Sequence, residues 1–361
     1  MKVLALNSSA RTGSHSKTEL MLKHLIDGMQ KAGAEVDVVN LREKNIKNCV
    51  GCFSCMTKTP GKCVLMDDMT GELFPKWLES DLIIYATPLF HHTVNATMKT
   101  FIERTFPICE PFLLEREGRW IHPLRRNHPA AVVLSVCGFP AMSAFNALTH
   151  YAKFLFEEQE KGRLWAEIYR PGAEFMYRNV EKQKDILNAT RQAGRELVET
   201  HGVSTGTLLR IEQPLADNYS DFAKITNCMW GTCIAEGITK KKFEQEHMIP
   251  RPDSIETFML LMPMGFNSKR AGATKAVLQF EFTGSVEGIC HLIISDGTIK
   301  AKEGKSEKPD LVIKTPFDVW MDSSSSRNIR KRELKISAIK VDRSQALKLC
   351  RFSFSIFFFA F

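Results

Sequence analysis

The N-terminus of this 361-residue chain has no long apolar run. Met1-Lys2-Val3-Leu4-Ala5-Leu6-Asn7 passes from a short apolar stretch straight into a polar loop. That is the pattern of a first buried strand and not of a signal peptide. Without an export signal the ten cysteines are expected in a reducing cytoplasm, where clustered thiols serve as ligands or redox groups. The loop after that strand is neither G-x-G-x-x-G nor G-x-x-x-x-G-K-[ST], so a dinucleotide fingerprint and a P-loop are both unsupported. No internal repeat is visible. A basic surface spread over the whole chain is also lacking. Of the net charge of +8, the stretch from Ser323 onward carries +7, from nine basic and two acidic residues. A nucleic-acid partner is not expected.

What is present is a knot of cysteine. Cys49, Cys52, Cys55 and Cys63 fall in C-V-G-C-F-S-C-M-T-K-T-P-G-K-C. Two consecutive C-x2-C steps set three thiols on one loop, and a seven-residue return brings the fourth. An iron–sulfur cluster needs four thiolates converging on one small object, and C-x2-C-x2-C is its usual local signature. Structural zinc normally takes two C-x2-C knuckles a dozen or more residues apart. Zinc, a redox dithiol and a loop without metal stay as alternatives to the cluster.

Residues 1 to about 200 alternate strand and helix. Strands are predicted at Lys2–Leu6, Glu35–Asn40, Leu82–Thr87, Ala130–Val136 and Leu164–Tyr169; three of them are nearly continuous apolar runs, as in a parallel sheet buried on both faces. Leu22, Leu25, Ile26 and Met29 form a helical stripe, and Ile186, Ala189, Ala193 and Leu197 another. The fold class is therefore α/β, a doubly wound parallel five-stranded sheet that binds ligands at the carboxyl ends of its strands. Residues 201–220 carry Gly202, Gly206 and Pro214 and are expected to be a linker. Residues 221–262 are predicted to be helical. Beyond Pro263, Leu278, Phe280 and Phe282 alternate with polar residues, and Asp296-Gly297 signals a hairpin. Residues 221–350 thus form a second, α+β domain with a mainly antiparallel sheet.

Three loops of the first domain are placed to hold a cofactor. The first, Asn7-Ser8-Ser9-Ala10-Arg11-Thr12-Gly13-Ser14-His15-Ser16-Lys17-Thr18, is rich in hydroxyls and precedes a helix. Free N–H groups and the helix dipole there suit a terminal phosphate, and Ser or Thr hydroxyls donate further bonds. Ser16 or Thr18 is equally read as a plain helix cap. The second loop is Ala86-Thr87-Pro88-Leu89-Phe90-His91-His92-Thr93, and the third is Cys137-Gly138-Phe139-Pro140. In these, proline and glycine let backbone amides approach a flat ring that Phe90 or His91 would cover; a turn with a core aromatic is the plainer reading.

With S-x-R-x-G-S-x-S-x-T, A-T-P-L-F, K-x-F-I-E-R and C-x2-C-x2-C-x7-C followed by Asp67-Asp68-Met69, residues 1–200 resemble the iron–sulfur flavoproteins. These belong to the NAD(P)H-dependent FMN reductase branch of the flavodoxin-like fold. The resemblance implies FMN held by Ser8, Ser9, Arg11, Ser14, Ser16, Thr18, Thr87, Pro88, Leu89, Phe90, His91, Cys137 and Gly138. It implies a [4Fe–4S] cluster on Cys49, Cys52, Cys55 and Cys63, and dimers or tetramers with Pro111–Pro129 near the interface. The implied activity is an FMN-dependent oxidoreductase, NAD(P)H-linked or ferredoxin-linked, passing electrons between flavin and cluster to a small-molecule acceptor. No side chain is assigned as an acid–base catalyst; His91, His92 and Arg11 are expected to tune the flavin.

L-Q-F-E-F-T-G, G-I-C-H-L-I-I-S-D-G and P-D-L-V-I-K-T-P-F-D-V-W are similar to the sterol carrier protein-2 fold, which implies a lipid or acyl ligand in the second domain. That leaves a contrasting expectation for the chain, a lipid-binding electron shuttle without turnover of its own. A zinc-stabilised α/β domain without redox function is the third. The apolar tail 351–361 is too short to span a bilayer and is read as a packed helix, a surface anchor or an altered end to the reading frame.

Overall fold

The computed structural model describes residues 1–116, 118–156, 163–177, 179–216, 218–325 and 340–341. The tail 351–361 lies outside them. The chain divides into two compact units, Met1–Asp217 and Asn218–Phe361.

The first unit is built on β1 (Lys2–Asn7), β2 (Glu35–Asn40), β3 (Leu82–Pro88), β6 (Ala130–Val136) and β7 (Leu164–Arg170), in the order β2-β1-β3-β6-β7. Every pairing is parallel. This is the flavodoxin-like strand order, with its switch point between β1 and β3. The three central strands are the apolar runs, and β3 and β6 are buried almost throughout. The edge strand β2 alternates Val36, Val38 with charged residues and is largely exposed. A two-stranded ribbon, β4 (Leu114–Arg116) with β5 (Arg119–Ile121), presents Leu114 and Trp120 to solvent next to Phe112 and Leu113.

Helices α2 (Phe74–Glu79), α3 (Ala96–Glu103) and α4 (Asn146–Phe156) bury Trp77, Phe101 and Leu148 in one core with Ile83, Tyr85 and Val133. The Trp77 indole Nε1 donates to the Tyr85 hydroxyl at 2.9 Å. The His128 ring stands edge-on to Trp77, 4.8 Å between centroids.

On the other face α1 (Lys17–Lys31) packs against α5 (Val180–Thr200). A β-carbon on Gly28 would collide with the carbonyl of Arg191, and one on Gly194 with that of Leu25. The two backbones touch where only glycine leaves room. Asp27 and Arg191 pair beside that contact. The residues expected to be a linker, 201–220, instead contain α6 (Thr205–Glu212), capped by Ser204. The buried Arg170 at the end of β7 donates to the carbonyl oxygens of Ile211 and Gln213 and so fastens α6 to the first unit.

The second unit comprises α7 (Tyr219–Glu236), α8 (Lys240–Gln245), α9 (Ile255–Met264), α10 (Ser268–Ala271), β8 (Ala276–Thr283), β9 (Gly288–Ser295), β10 (Thr298–Glu303), β11 (Leu311–Pro316), α11 (Phe317–Ser325) and β12 (Lys340–Val341). Its sheet runs β10-β9-β8-β11-β12. β11 lies parallel to β8, and the other pairings are antiparallel. Asp296 and Gly297, both with positive φ, make the two-residue turn expected between β9 and β10. Phe258 of α9 packs edge-on to Phe280 and Phe282, and Phe280 meets Trp320 in the same way.

Two predictions follow from this packing. Gly194→Ala will cost about 1–3 kcal/mol through overpacking, although alanine favours a helix interior by about 1 kcal/mol; the urea midpoint reads it. Burial holds the His128 imidazole down to about 4, against 6.5 for a free histidine. The unfolded chain therefore binds this proton more tightly, so stability falls as pH drops from 6.5 towards 4 and the loss then stops. His128→Phe will flatten that part of the stability–pH curve.

Candidate functional site

The carboxyl ends of β1, β3 and β6 lie side by side, so their loops share one edge of the sheet. Hydrogen bonds stitch them together. The Ser8 amide donates to the Ala86 carbonyl at 2.9 Å, and the Leu89 amide to that of Val136 at 3.0 Å. Asn95, buried, caps α3 by accepting from the Met98 amide and donates its Nδ2 to the Ser8 carbonyl at 2.7 Å. The Thr87 hydroxyl accepts from the Asn95 amide at 3.2 Å. Asn95 went unnoticed in the sequence; its signal is the Asn-x-x-Met start of a helix following a proline-bearing loop.

In the first loop Ser8, Ser9, Ser16 and Thr18 are all buried. Ser16 is the N-cap of α1 and accepts from the Glu19 amide at 3.1 Å. Its oxygen also lies 2.8 Å from that of Ser9. The plain capping reading of Ser16 is thus realised, and it orients the hydroxyl pair at the helix start. Arg11 is exposed and reaches Glu174 at 3.3 Å, across to the loop that follows β7. The Ser14 side chain lies outside the described set.

In the second loop Phe90 and Thr93 exchange backbone hydrogen bonds around His91 and His92, both at positive φ. Two non-glycine residues in the left-handed region store backbone strain, on the order of 1–3 kcal/mol each. The turn leaves Phe90 exposed and lays the His92 ring parallel to Phe139, 6.1 Å between centroids. His92 Nδ1 lies 3.0 Å from the Ala144 carbonyl. Pro88 and Leu89 are partly buried. Cys137 is buried, its thiol pushed up by burial, and Gly138 follows it at the surface.

The four clustered cysteines line one small cavity of about 60 Å³, together with Val50, Phe53, Val64, Leu65, Arg104 and Phe106. Gly51 and Phe53, both at positive φ, turn the backbone between the first three thiols. Among the described residues no three His, Cys, Asp or Glu side chains are arranged around a single-ion centre. The donor chemistry nevertheless suits a group that takes thiolates. Burial raises the Cys55 thiol first, and Cys63, Cys49 and Cys52 raise it further. Sulfurs crowded enough to repel as thiolates are relaxed by a bound cation.

The neck of this loop is closed by a buried ion pair. Arg104 Nη1 meets Asp67 Oδ2 at 2.6 Å and Nη2 meets Oδ1 at 3.0 Å, with both side chains inaccessible to solvent. The Asp67 carboxylate also accepts from the amides of Lys47 and Thr70. Asp68 accepts from the Asn45 amide at 2.7 Å. Residues 45–47 and 67–70 are thereby clamped, and the cysteines hang between them. Burial pushes the Asp67 carboxyl up, but the bonds from Arg104, Lys47 and Thr70 outweigh it and hold it below the usual range.

Residues 1–156 match the family model described as NADPH-dependent FMN reductase. An iron–sulfur flavoprotein of Archaeoglobus fulgidus is 40% identical over 102 residues, 28% of this chain and 44% of that protein. An iron–sulfur flavoprotein of Methanocaldococcus jannaschii is 30% identical over 117 residues, 32% of this chain and 58% of that protein. The chain spans about half the length of these curated relatives. An FMN-dependent NADH:quinone oxidoreductase of Pelagibacter ubique is 27% identical over 165 residues, 43% of this chain and 81% of that protein. Among solved structures, the NAD(P)H:quinone oxidoreductase of Methanothermobacter marburgensis is similar at a TM-score of 0.41 and 17% identity, over 55% of this chain and 96% of that one. The matched segment is homologous to NAD(P)H-dependent FMN reductases and iron–sulfur flavoproteins, a class of oxidoreductases with the flavodoxin-like fold.

Asp67→Ala will leave the Arg104 charge buried and unpaired, a loss of about 3–5 kcal/mol readable by urea unfolding. The pair's contribution is complete above the ordinary carboxylate value of 3.8 and is lost as pH falls through the lowered native value.

Proposed function

We propose that this protein is an FMN-dependent oxidoreductase whose first unit also carries a [4Fe–4S] cluster. The observation that carries the reading is the convergence of the three loops on one sheet edge within a segment homologous to FMN reductases. FMN and the cluster supply the redox chemistry, the first accepting electrons in pairs or singly and the second passing them one at a time. The chain's own part is to bind, orient and insulate. Ser8, Ser9, Arg11, Ser14, Ser16 and Thr18 hold the phosphate end against the start of α1. Thr87, Pro88, Leu89, Phe90, His91, Cys137 and Gly138 flank the ring, and the strained His91-His92 turn fixes Phe90 beside it. Cys49, Cys52, Cys55 and Cys63 ligate the cluster, with Val50, Phe53 and Phe106 lining the same cavity.

The donor is NAD(P)H or a ferredoxin-like protein and the acceptor a small molecule. The exposed Phe112, Leu113, Leu114 and Trp120 support assembly into a homodimer or homotetramer through that ribbon. For the second unit, the aromatic sheet face under α9 supports a sterol carrier protein-2-like module for an apolar ligand.

An anaerobic preparation reconstituted with FMN, iron and sulfide tests the reading. Wild type is expected to bind one FMN and four irons, and Cys52→Ala to keep the flavin and lose the iron–sulfur absorbance. Ser16→Ala is expected to weaken FMN about tenfold, a loss of roughly 1.4 kcal/mol. Full iron content in Cys52→Ala would remove that residue from the ligand set; folded wild type without flavin would end the proposal. NAD(P)H oxidation with a soluble quinone separates an enzyme from a shuttle that lacks turnover.

A further inference from the structure

Arg104 does more at the cysteine loop than its ion pair needs. Its two terminal nitrogens are spent: Nη1 on Asp67 Oδ2 and the Lys47 carbonyl, both at 2.6 Å, and Nη2 on Asp67 Oδ1 and the Thr70 hydroxyl, both at 3.0 Å. The remaining donor, Nε–H, is buried and has no hydrogen-bond partner. A buried donor left over from an otherwise saturated guanidinium is a costly omission, and such groups are rare without a purpose. The guanidinium is inaccessible to water and lines the same cavity as the four thiols. The Cys63 sulfur lines that cavity with it, and the two side chains interact favourably. A neutral thiol is a weak acceptor, whereas a thiolate is a strong one, and a charged donor suits it best.

We propose that Arg104 is a positioning residue for the metal centre, its Nε–H donating to the sulfur of Cys63 once that sulfur is a cluster ligand. This rests on the cluster reading given above. Asp67 holds the guanidinium plane by both terminal nitrogens, which fixes the direction of Nε. The hydrogen bond withdraws charge from the ligating sulfur. Hydrogen bonds to cluster sulfurs raise the reduction potential, because the added electron is then better stabilised. Lysine cannot substitute: its ammonium has no planar fork to hold Asp67 and aim a third donor elsewhere. The residue that sets the potential is thus also the residue that closes the loop.

The test uses the full chain, loaded anaerobically with iron and sulfide. Arg104→Lys is expected to shift the cluster midpoint potential to more negative values and to change the EPR g-values of the reduced form. Thr70→Val removes the hydroxyl that accepts from Arg104 Nη2 and donates to the Leu65 carbonyl, without touching Nε, and is expected to keep the wild-type potential. If Arg104→Lys loads four irons with an unchanged potential, the proposal is wrong, and so it is if Thr70→Val shifts the potential equally. Should Arg104→Lys fail to fold or load, wild type labelled with 15N-arginine gives the answer by pulsed EPR. A nitrogen coupling to the reduced cluster is expected from the arginine that lines the cavity, and its absence overturns the assignment. Wild type that folds but takes up no iron would sink the cluster reading itself, a result distinct from a loaded cluster without the coupling.

Discussion

The buried pair of Asp67 and Arg104 is the constraint on which the candidate redox site depends. One carboxylate receives four donors, two from the arginine and two from backbone amides on opposite sides of the cysteine loop. A buried ion pair whose carboxylate is saturated with donors is rigid, since any displacement exposes a charge to an unfavourable medium. A loop with two left-handed residues and a solvent-facing Phe53 has little packing of its own. Its shape is imposed from the neck.

The loops at the sheet edge are governed differently. They are short, and each is tied to its neighbour by backbone amides and by the Asn95 side chain. The hydroxyls of Ser9 and Ser16 face one another at the start of α1, so the same groups that cap the helix stand where the proposed reading puts the phosphate end of the flavin. The structural and functional readings of that serine-rich loop are therefore not rivals. A cap fixes the hydroxyls, and fixed hydroxyls recognise an anion at little entropic cost.

Much of the first unit was legible in the sequence because its strands are uninterrupted apolar runs. The five predicted strands reappear within a residue at each end, including Glu35–Asn40 and Ala130–Val136 without change. The cysteine loop was legible through its spacing. What escaped depends on distant partners. Nothing local links Asp67 to Arg104, thirty-seven positions apart. Gly202, Gly206 and Pro214 hide the helix Thr205–Glu212 in the sequence, because what docks it is the distant Arg170, donating to the carbonyls of Ile211 and Gln213. The mainly antiparallel sheet expected in the second unit is present, with three of its four pairings antiparallel; the parallel direction of the β8–β11 pair is not encoded in either strand's own residues. The positive φ of His91 and His92 was equally invisible, since even for histidine this conformation is uncommon and is set by the turn's own closing bonds.

The glycine contact between α1 and α5 has a consequence for how this fold can diverge. At Gly28 and Gly194 the obstacle facing any side chain is a peptide carbonyl of the opposing helix, and every amino acid brings that same carbonyl. No second substitution elsewhere on the facing surface can shrink it. Homologues that keep this helix pairing should therefore be invariant at both sites, and a departure at either one marks a lineage in which the two helices have slid apart.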